Sequence, residues 1–271
     1  MLQNALKQWQ SWNLFIEEPN LIKLFNDGLN HHTALIQSDQ QAYVLKVFEH
    51  SAKQAIEAQL WAEKIGITPA IHYFDDTTLV MNYVPNNAPD YDALAKSLSA
   101  LHSQNYTAKN QSDYFDLLQF CQNYLVSVDQ DMHKMHSRLL PALQFFINDP
   151  TPWCFCHNDL VVENCIFNDS VHSNNKAIFI DWEYAQMHNP WFDLAAAIYY
   201  FKLSEQQSAV FLEQYQSGWS QKISTPIYTS SQIALIWGDV LWHLAKFGPE
   251  YKAQLSKKLL DLKSLAEQFG V

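Results

Sequence analysis

The chain has 271 residues and a formal net charge of −11, with 17 Lys and Arg against 28 Asp and Glu. Duplex nucleic acid is bound by clustered Lys and Arg, so this acidic balance argues against a nucleic-acid partner. Only six glycines are present and no two are separated by a single residue, which excludes the dinucleotide fingerprint and the P-loop, because both need clustered glycines around phosphate.

The first 84 residues predict a small unit rich in strands. Five apolar or β-branched runs are separated by residues that favour turns, a pattern typical of antiparallel strands joined by short connections. The five runs are residues 21–25, 33–37, 42–48, 71–74 and 78–84. A helix is predicted from Ser51 to Gly66, a glycine at the position where helices commonly end. A shorter helix is predicted before Pro19.

The segment Pro85-Asn86-Asn87-Ala88-Pro89 predicts a joint between two lobes, because proline restricts its own φ and the residue before it. Beyond it the pattern is mostly helical, with a polar segment at residues 153–185. The predicted helices cover residues 90–103, 113–127, 130–148, 190–202, 205–217 and 230–268, the last with a break near Gly248-Pro249. The sequence therefore predicts an α+β fold, with a small antiparallel β-sheet lobe and one helix at residues 1–84 and a larger, mostly α-helical lobe at 85–271.

The polar segment carries residues with the chemistry of phosphoryl transfer. Asp159 is followed five positions later by Asn164, and Asp181 follows Asp159 by 22 positions, after a short apolar run. Phosphoryl transfer needs one carboxylate to orient and deprotonate the attacking hydroxyl, and an amide oxygen and a second carboxylate to hold Mg²⁺ on the phosphates of ATP. The three residues supply this set.

These motifs resemble those of the aminoglycoside phosphotransferase and choline kinase superfamily, which is related to the protein kinases. His157-Asn158-Asp159 with Asn164 is similar to the catalytic loop of that superfamily, and Asp181-Trp182-Glu183 is similar to the motif that stands where protein kinases have Asp-Phe-Gly. The resemblance implies a bilobal protein-kinase-like fold, ATP and Mg²⁺ as cofactors, Asp159 as the base, and Asn164 and Asp181 as metal ligands. It extends from about residue 24 to residue 247 and looks closest to bacterial choline and thiamine kinases.

The resemblance also implies a nucleotide site in the first lobe. Lys46 lies on the third predicted strand, where a phosphate-anchoring lysine is expected, and Glu57 on the following helix is the candidate to pair with it, with Glu63 on the same helix as an alternative. Residues 27–33 would cover the phosphates, although they contain one glycine where protein kinases have three. Backbone groups of the hinge would bind the adenine. The hinge residues are Asn82, Tyr83 and Val84.

A small-molecule acceptor is predicted, because only eleven residues lie between Asp181 and Asp193 and leave no room for a peptide-docking activation segment. Aromatic faces and carboxylates bind quaternary ammonium groups, so we expect a cationic alcohol such as choline or thiamine. The candidate acceptor-binding residues are Trp182, Glu183, Tyr184, Trp237, Asp239 and Trp242. Asp193 resembles the structural acid that braces the catalytic loop, and His157 is expected to support the same loop.

Simpler interpretations stand beside these predictions. The late helix is heavily apolar, so core packing is an equal alternative for Trp237 or Trp242. A zinc site could be drawn from neighbouring thiols and an imidazole, but a Cys-x-Cys pair on a buried strand is more often part of the core. The set considered is Cys154, Cys156, His157 and Cys165.

Two other functions remain alternatives at this stage. An aminoglycoside- or sugar-type kinase would share every catalytic residue, although an aminoglycoside pocket needs more carboxylates than the C-terminal region offers. A non-catalytic, pseudokinase-like binding module would usually have lost Lys46, Asp159 or Asp181, and none is lost.

Location is predicted from what the sequence lacks. The longest apolar run, residues 194–201, is short of the ~20 residues of a membrane-spanning helix. Residues 1–19 lack the continuous apolar segment of a secretory signal, and the four cysteines show no disulfide spacing. We therefore expect a cytoplasmic protein with reduced thiols, no membrane association and no obligate protein partner.

Overall fold

The computed structural model of the chain describes residues 1–25, 31–168, 176–216 and 225–271. Its strands are β1 (Asn20–Leu24), β2 (His31–Ser38), β3 (Gln41–Phe48), β4 (Ile71–Phe74), β5 (Thr78–Asn82), β6 (Cys154–Cys156), β7 (Cys165–Ile166), β8 (Ile178–Phe179) and β9 (Gln186–His188). Its helices are α1 (Leu2–Leu6), α2 (Lys53–Lys64), α3 (Tyr91–His102), α4 (Leu117–Leu125), α5 (Gln130–Ile147), α6 (Trp191–Tyr200), α7 (Glu205–Gln216), α8 (Thr225–Phe247) and α9 (Ser256–Phe269).

The chain forms two compact units. The first contains residues 1–101 together with 162–185, and the second contains residues 102–161 together with 186–271. The first unit holds the five-stranded sheet, and the second is mostly helical. The predicted α+β fold class is therefore confirmed.

The sheet of the first unit contains five antiparallel strands in the order β1-β2-β3-β5-β4. All five correspond to the apolar runs recognised in the sequence. Lys46 on the central strand β3 pairs with Thr33 on one side and with Leu79 on the other. Helix α2 follows β3 and ends before Gly66, whose φ of +70° is the left-handed conformation that favours glycine.

A second hairpin belongs to the first unit although it lies far along the chain. Strands β7 and β8 pair with each other, and Phe179 N–H donates to the Ile67 carbonyl at 2.7 Å. Ser97 Oγ donates to the Ala177 carbonyl at 2.7 Å, and Phe167 N–H donates to Asn86 Oδ1 at 2.8 Å. These bonds explain why residues 162–185 are part of the first unit, whereas the sequence placed them in a lobe that begins at residue 85. The lobe boundary itself stays a prediction.

The second unit is built around α8, which packs against α4, α5, α6 and α9. The predicted break in the last helical segment is present: α8 ends before Gly248, which has a φ of +89°, and a short 3₁₀ helix, Pro249–Ala253, separates it from α9. Strands β6 and β9 pair antiparallel beside these helices.

The four cysteines are buried free thiols, as predicted. Across the described ranges, none of the helices combines the length and the apolar character needed to cross a membrane.

Candidate active site

Lys46 lies buried in the first unit with two carboxylates beside it. Its side chain is only 7% exposed, and its Nζ lies 2.8 Å from Asp181 Oδ1 and 3.6 Å from Glu183 Oε1. The ring of Phe48 lies 4.8 Å from the ammonium. A buried ammonium without a partner is costly, so the two carboxylates explain how β3 can carry a charged side chain into the interior.

His31 also belongs to this group, and we name Lys46, Asp181, Glu183 and His31 the Lys46 cluster. Its Nδ1 lies 2.9 Å from Glu183 Oε1, and its Nε2 lies 3.8 Å from Asp181 Oδ2. One potential ligand atom from each of these three residues lies within 4.8 Å of the other two. Carboxylate oxygens are the ligands that Mg²⁺ prefers, so Asp181 and Glu183 fit the divalent cation that the sequence predicted, whereas the imidazole of His31 is a ligand more typical of transition metals. Sequence reasoning missed His31, because nothing in its own neighbourhood indicates that it lies beside residues 150 positions away.

Asn164 and Asp181 are brought together by the β7–β8 hairpin. Asn164 directly precedes β7, and Ile180 follows β8 and donates its N–H to the Asn164 carbonyl at 3.0 Å. Asp181 has a φ of +65°, a conformation that non-glycine residues rarely adopt and that occurs at functional sites more often than elsewhere. The hairpin therefore presents the amide and the carboxylate of the predicted metal ligands from adjacent backbone positions.

The predicted pairing of Glu57 with Lys46 is absent. Glu57 is exposed on α2, and within the ranges that the structure describes no ion pair joins it to Lys46, whose carboxylate partners are Asp181 and Glu183. The alternative, Glu63, accepts the backbone N–H of Ile71 at 2.6 Å and so connects α2 to β4. Glu183, predicted to bind the acceptor, lies in the Lys46 cluster.

Among the described residues, one of the three predicted hinge residues has a backbone N–H that could donate a hydrogen bond to adenine. The N–H of Asn82 donates to the Ala70 carbonyl at 2.9 Å, and the N–H of Tyr83 donates to the Ala42 carbonyl at 3.1 Å. Among the residues described, the N–H of Val84 has no backbone acceptor. Of the three hinge residues predicted to bind adenine, Val84 is thus the one whose N–H is available. Residues 27–30 of the predicted phosphate-covering segment lie outside the described residues.

The catalytic-loop sequence lies in the second unit, where Asp193 holds it. This carboxylate is fully buried and accepts the backbone N–H groups of His157 and Asn158, each at 2.8 Å. The Nε2 of His102 lies 3.1 Å from it. Burial acts to raise the pKa of Asp193, but the hydrogen bond and charge of His102 and the contacts with His157 outweigh it and lower the pKa. These are the contacts that the predicted bracing role of Asp193 requires.

Asn158 is held from its side chain as well. Its Oδ1 lies 2.9 Å from His188 Nδ1, and its φ is +63°. Burial lowers the pKa of His188 to about 3, so this imidazole is neutral and the hydrogen bond requires that it donate from Nδ1. Asn158, in this left-handed conformation, directly precedes Asp159, which is half-buried.

A second group of polar side chains in the same unit contains Tyr200, whose ionisation is influenced by both Asp159 and Asp239. Burial raises the pKa of Tyr200 well above its usual value, and the negative charges of Asp239 and Asp159 raise it further. Tyr200 therefore lies within electrostatic range of both the predicted base and the predicted acceptor-binding acid. The sequence analysis did not single out Tyr200, which is at the end of an apolar helix.

Asp239 has two basic neighbours. Its Oδ1 lies 3.0 Å from His243 Nδ1, and its Oδ2 pairs with the ammonium of Lys258. Burial acts to raise the pKa of Asp239, but His243 and Lys258 lower it overall. The same Lys258 ammonium lies 5.6 Å from the centre of the Tyr200 ring. We name Tyr200, Asp239, His243 and Lys258 the Asp239 cluster.

Two of the predicted acceptor-binding tryptophans are core residues. Trp237 is fully buried and its Nε1 donates to His136 Nδ1 at 3.0 Å. Trp182 is 1% exposed and its Nε1 donates to the Phe179 carbonyl at 3.2 Å. Their ring faces are inaccessible, so Trp237 has the core position that was the alternative for it, and Trp182, for which no core role was predicted, is also a core residue. Trp242 and Tyr184 are half-buried.

The cysteines considered as a zinc site lie beside a different histidine from the one that the sequence suggested. His102, Cys154 and Cys156 lie close together in the second unit, with the two Sγ atoms 3.7 Å apart. Both ring nitrogens of His102 already contact other partners, Asp193 at 3.1 Å and the Tyr215 hydroxyl at 3.0 Å. Cys165 lies in the first unit, so the four residues considered as a zinc site do not form a cluster within either unit.

Comparisons with known proteins agree with this arrangement. The phosphotransferase enzyme family matches residues 21–226. Protein LicA of Haemophilus influenzae is 25% identical over 219 residues, which are 79% of this chain and 75% of that protein. The crystal structure of choline kinase LicA from Streptococcus pneumoniae superposes with a TM-score of 0.76 and 18% identity, covering 97% of this chain and 99% of that one. A streptomycin–ATP–APH(2")-IIa ternary complex gives a TM-score of 0.67 with 19% identity, covering 97% of both chains.

Proposed function

Because the chain belongs to the phosphotransferase enzyme family, we propose that it is an ATP-dependent kinase that phosphorylates the hydroxyl of a small cationic alcohol of the choline or thiamine type. Small-molecule kinase activity follows from the family and from its likeness to Protein LicA. The observation that carries the chemistry is the Lys46 cluster, in which a buried lysine and two carboxylates meet beside Asn164.

The first unit supplies the groups that would bind ATP. Val84 N–H would donate to the adenine ring, and the Lys46 ammonium would contact phosphate oxygens. Asn164 and Asp181 would hold Mg²⁺, with Glu183 as a further oxygen ligand close to Asp181. When bound, the metal would neutralise charge on the β- and γ-phosphates. Since Lys46 now lies on Asp181 and Glu183, we expect nucleotide binding to redistribute these contacts.

The second unit supplies the base. Asp159 would accept the proton of the acceptor hydroxyl and align its oxygen for attack, a role that depends on a fixed position rather than on a large driving force. Asp193 fixes that position by holding the N–H groups of the two preceding residues. Asp193 is therefore a positioning residue, and so is His188 through Asn158.

The acceptor class is supported by what surrounds Asp159. Tyr200 lies within electrostatic range of both Asp159 and Asp239, so an aromatic ring would be near the base and a carboxylate would be near that ring. An aromatic face and a carboxylate together attract a desolvated cation. A small alcohol that carries a fixed positive charge would place its hydroxyl at the base and its cation in this region. The ATP that such a kinase needs agrees with a cytoplasmic location.

A nucleotide-consumption screen tests the proposal directly. Wild-type protein would be assayed with choline, ethanolamine, thiamine, small sugars and aminoglycosides, with the Asp159→Asn variant as the control for unrelated ATP hydrolysis. We expect acceptor-dependent ADP release with choline or thiamine and none with Asp159→Asn. Turnover confined to sugars or aminoglycosides would replace the acceptor class. No turnover with any acceptor, together with nucleotide binding, would favour the non-catalytic binding module.

A further inference from the structure

The Asp239 cluster already contains a cation. The ammonium of Lys258 pairs with Asp239 Oδ2 and lies 5.6 Å from the centre of the Tyr200 ring. A carboxylate and an aromatic ring around one ammonium are the same groups that recognise a cationic ligand. Lys258 comes from α9, whereas Asp239 lies on α8 and Tyr200 ends α6, so three separate helices converge on this one charge.

We propose that the Lys258 ammonium occupies the position that the cationic group of the acceptor takes on binding, and that Lys258 thereby sets the affinity and the charge specificity of the site. This inference rests on the proposed function. Lys258 is then an internal competitor: the acceptor cation binds by exchanging with it on Asp239 and Tyr200, rather than by adding to a vacant site.

Exchange is favoured over addition because both oxygens of the carboxylate are already engaged. Oδ1 of Asp239 is held by His243 and Oδ2 by Lys258. Asp239 and Lys258 together carry no net charge, so a further cation beside them would find no net attraction. A quaternary ammonium has no N–H groups, so it cannot donate a hydrogen bond to Asp239 alongside Lys258.

The lysine is able to leave. Its side chain is 23% exposed, against 16% for Asp239, so part of this side chain already reaches solvent. A lysine carries its charge on a flexible four-carbon chain and is strongly hydrated. Its movement into water would free both Asp239 Oδ2 and the face of Tyr200, while His243 would continue to hold the carboxylate in place through Oδ1.

The test compares choline with its uncharged isostere 3,3-dimethylbutan-1-ol in wild-type enzyme and in Lys258→Met, which keeps the apolar stem and removes the charge. We expect the KM for choline to fall by about three- to thirtyfold, the range that corresponds to one cation–π contact, with the KM for the isostere within twofold. Lys257→Met removes the same charge from an exposed neighbouring position and should change neither value. An unchanged or higher KM for choline in Lys258→Met would overturn the proposal and show that Lys258 only joins α9 to α8.

A second variant keeps the proposal testable if Lys258→Met does not fold. Lys258→Arg retains the charge and makes a two-pronged contact with a carboxylate that is harder to displace. We expect it to raise the KM for choline and to leave the isostere unaffected. Equal changes for the two alcohols would overturn the exchange, because they would show a general effect on the pocket.

Failure of the proposed function is detected separately with tetramethylammonium, which has no hydroxyl to phosphorylate. The rise in melting temperature caused by tetramethylammonium chloride, relative to sodium chloride at the same ionic strength, should be larger for Lys258→Met than for wild type. If choline is not a substrate but this difference is observed, the exchange stands and the acceptor assignment fails. If choline is a substrate and no difference is seen, the acceptor stands and the exchange fails.

Discussion

Two lysine clusters of nearly the same composition lie in the two units of this molecule. In the first, Lys46 contacts two carboxylates and a phenylalanine ring, and a histidine contacts the carboxylates. In the second, Lys258 contacts one carboxylate and a tyrosine ring, and a histidine contacts the carboxylate. With each histidine counted as neutral, the formal charge is −1 in the Lys46 cluster and zero in the Asp239 cluster.

This difference of one carboxylate separates two kinds of binding. The Lys46 cluster keeps an excess negative charge and oxygen ligands, so it can accept a divalent cation in addition to its lysine. On the proposed function, the Asp239 cluster, which has no excess charge, would accept a cation only in exchange for its lysine. The number of carboxylates per lysine would then distinguish the proposed metal site from the proposed organic-cation site.

The largest expected effect tests the Lys46 cluster. Asp181→Ala removes the proposed charged metal ligand and a carboxylate 2.8 Å from Lys46, so we expect no measurable turnover and weakened Mg²⁺-dependent ATP binding, measured by titration calorimetry. Asn164→Ala removes the proposed neutral ligand and should weaken binding less. If Asp181→Ala bound MgATP with wild-type affinity, the metal would have to be placed on other residues.

Asp159→Asn tests the proposed base. Removal of a general base costs about 10²- to 10⁴-fold in rate, so kcat should fall by at least 10²-fold while ATP binding is unchanged. Steady-state kinetics with choline provide the measurement, and calorimetry with ATP provides the control. A kcat within threefold of wild type would rule out Asp159 as the base.

Tyr200→Leu tests the aromatic part of the Asp239 cluster. Loss of one ring contact costs about 0.5 to 2 kcal/mol, which corresponds to a KM for choline raised between twofold and about thirtyfold. Because the contact would hold ground and transition states alike, kcat should change little. Tyr200→Phe keeps the ring and is the matched control. A similar loss in both variants would assign the effect to the hydroxyl instead.

The smallest expected effect concerns the support of the catalytic loop. The pKa of His188 is about 3 in the folded protein, below the usual value of about 6.5 in an unfolded chain. The unfolded state therefore binds a proton first as the pH falls, and stability is lost below about pH 6.5. At pH 5.5 the loss amounts to about 1.4 kcal/mol.

Urea unfolding of wild type and His188→Gln between pH 7.5 and 5.5 measures this contribution. The variant keeps an amide donor for Asn158 but has no titratable ring, so its unfolding free energy should depend less on pH, by about that amount. Parallel curves for the two proteins would show that His188 does not contribute to the acid sensitivity.

Local order along the chain indicated both the strands, which the structure confirms, and the candidate site residues, whose roles stay predictions. The strands and the position of Lys46 on the third of them follow from the alternation of apolar runs with turns. Asp159, Asn164 and Asp181 were recognised by their spacing along one polar segment. Short-range patterns suffice for these residues because the backbone itself places them, on a strand or directly before and after a hairpin.

Helix geometry explains one outcome that the sequence left open. Trp237 and Trp242 are five residues apart on α8, which separates them by about 140° around the helix. They therefore cannot lie on the same face. Trp237 is on the face that enters the core, and Trp242 is half-buried beside His243 and Phe247.

Residue order along the chain was sufficient to predict the α+β fold and the family, and to propose which residues carry the chemistry. Which charges meet depends on the tertiary structure. Lys46 pairs with residues 135 and 137 positions away rather than with Glu57, and Lys258 comes from a separate helix to neutralise Asp239. An ion pair needs its two groups within about 4 Å, and its strength depends on how far water is excluded. The spacing of residues along the chain determines neither the distance between the two groups nor their burial.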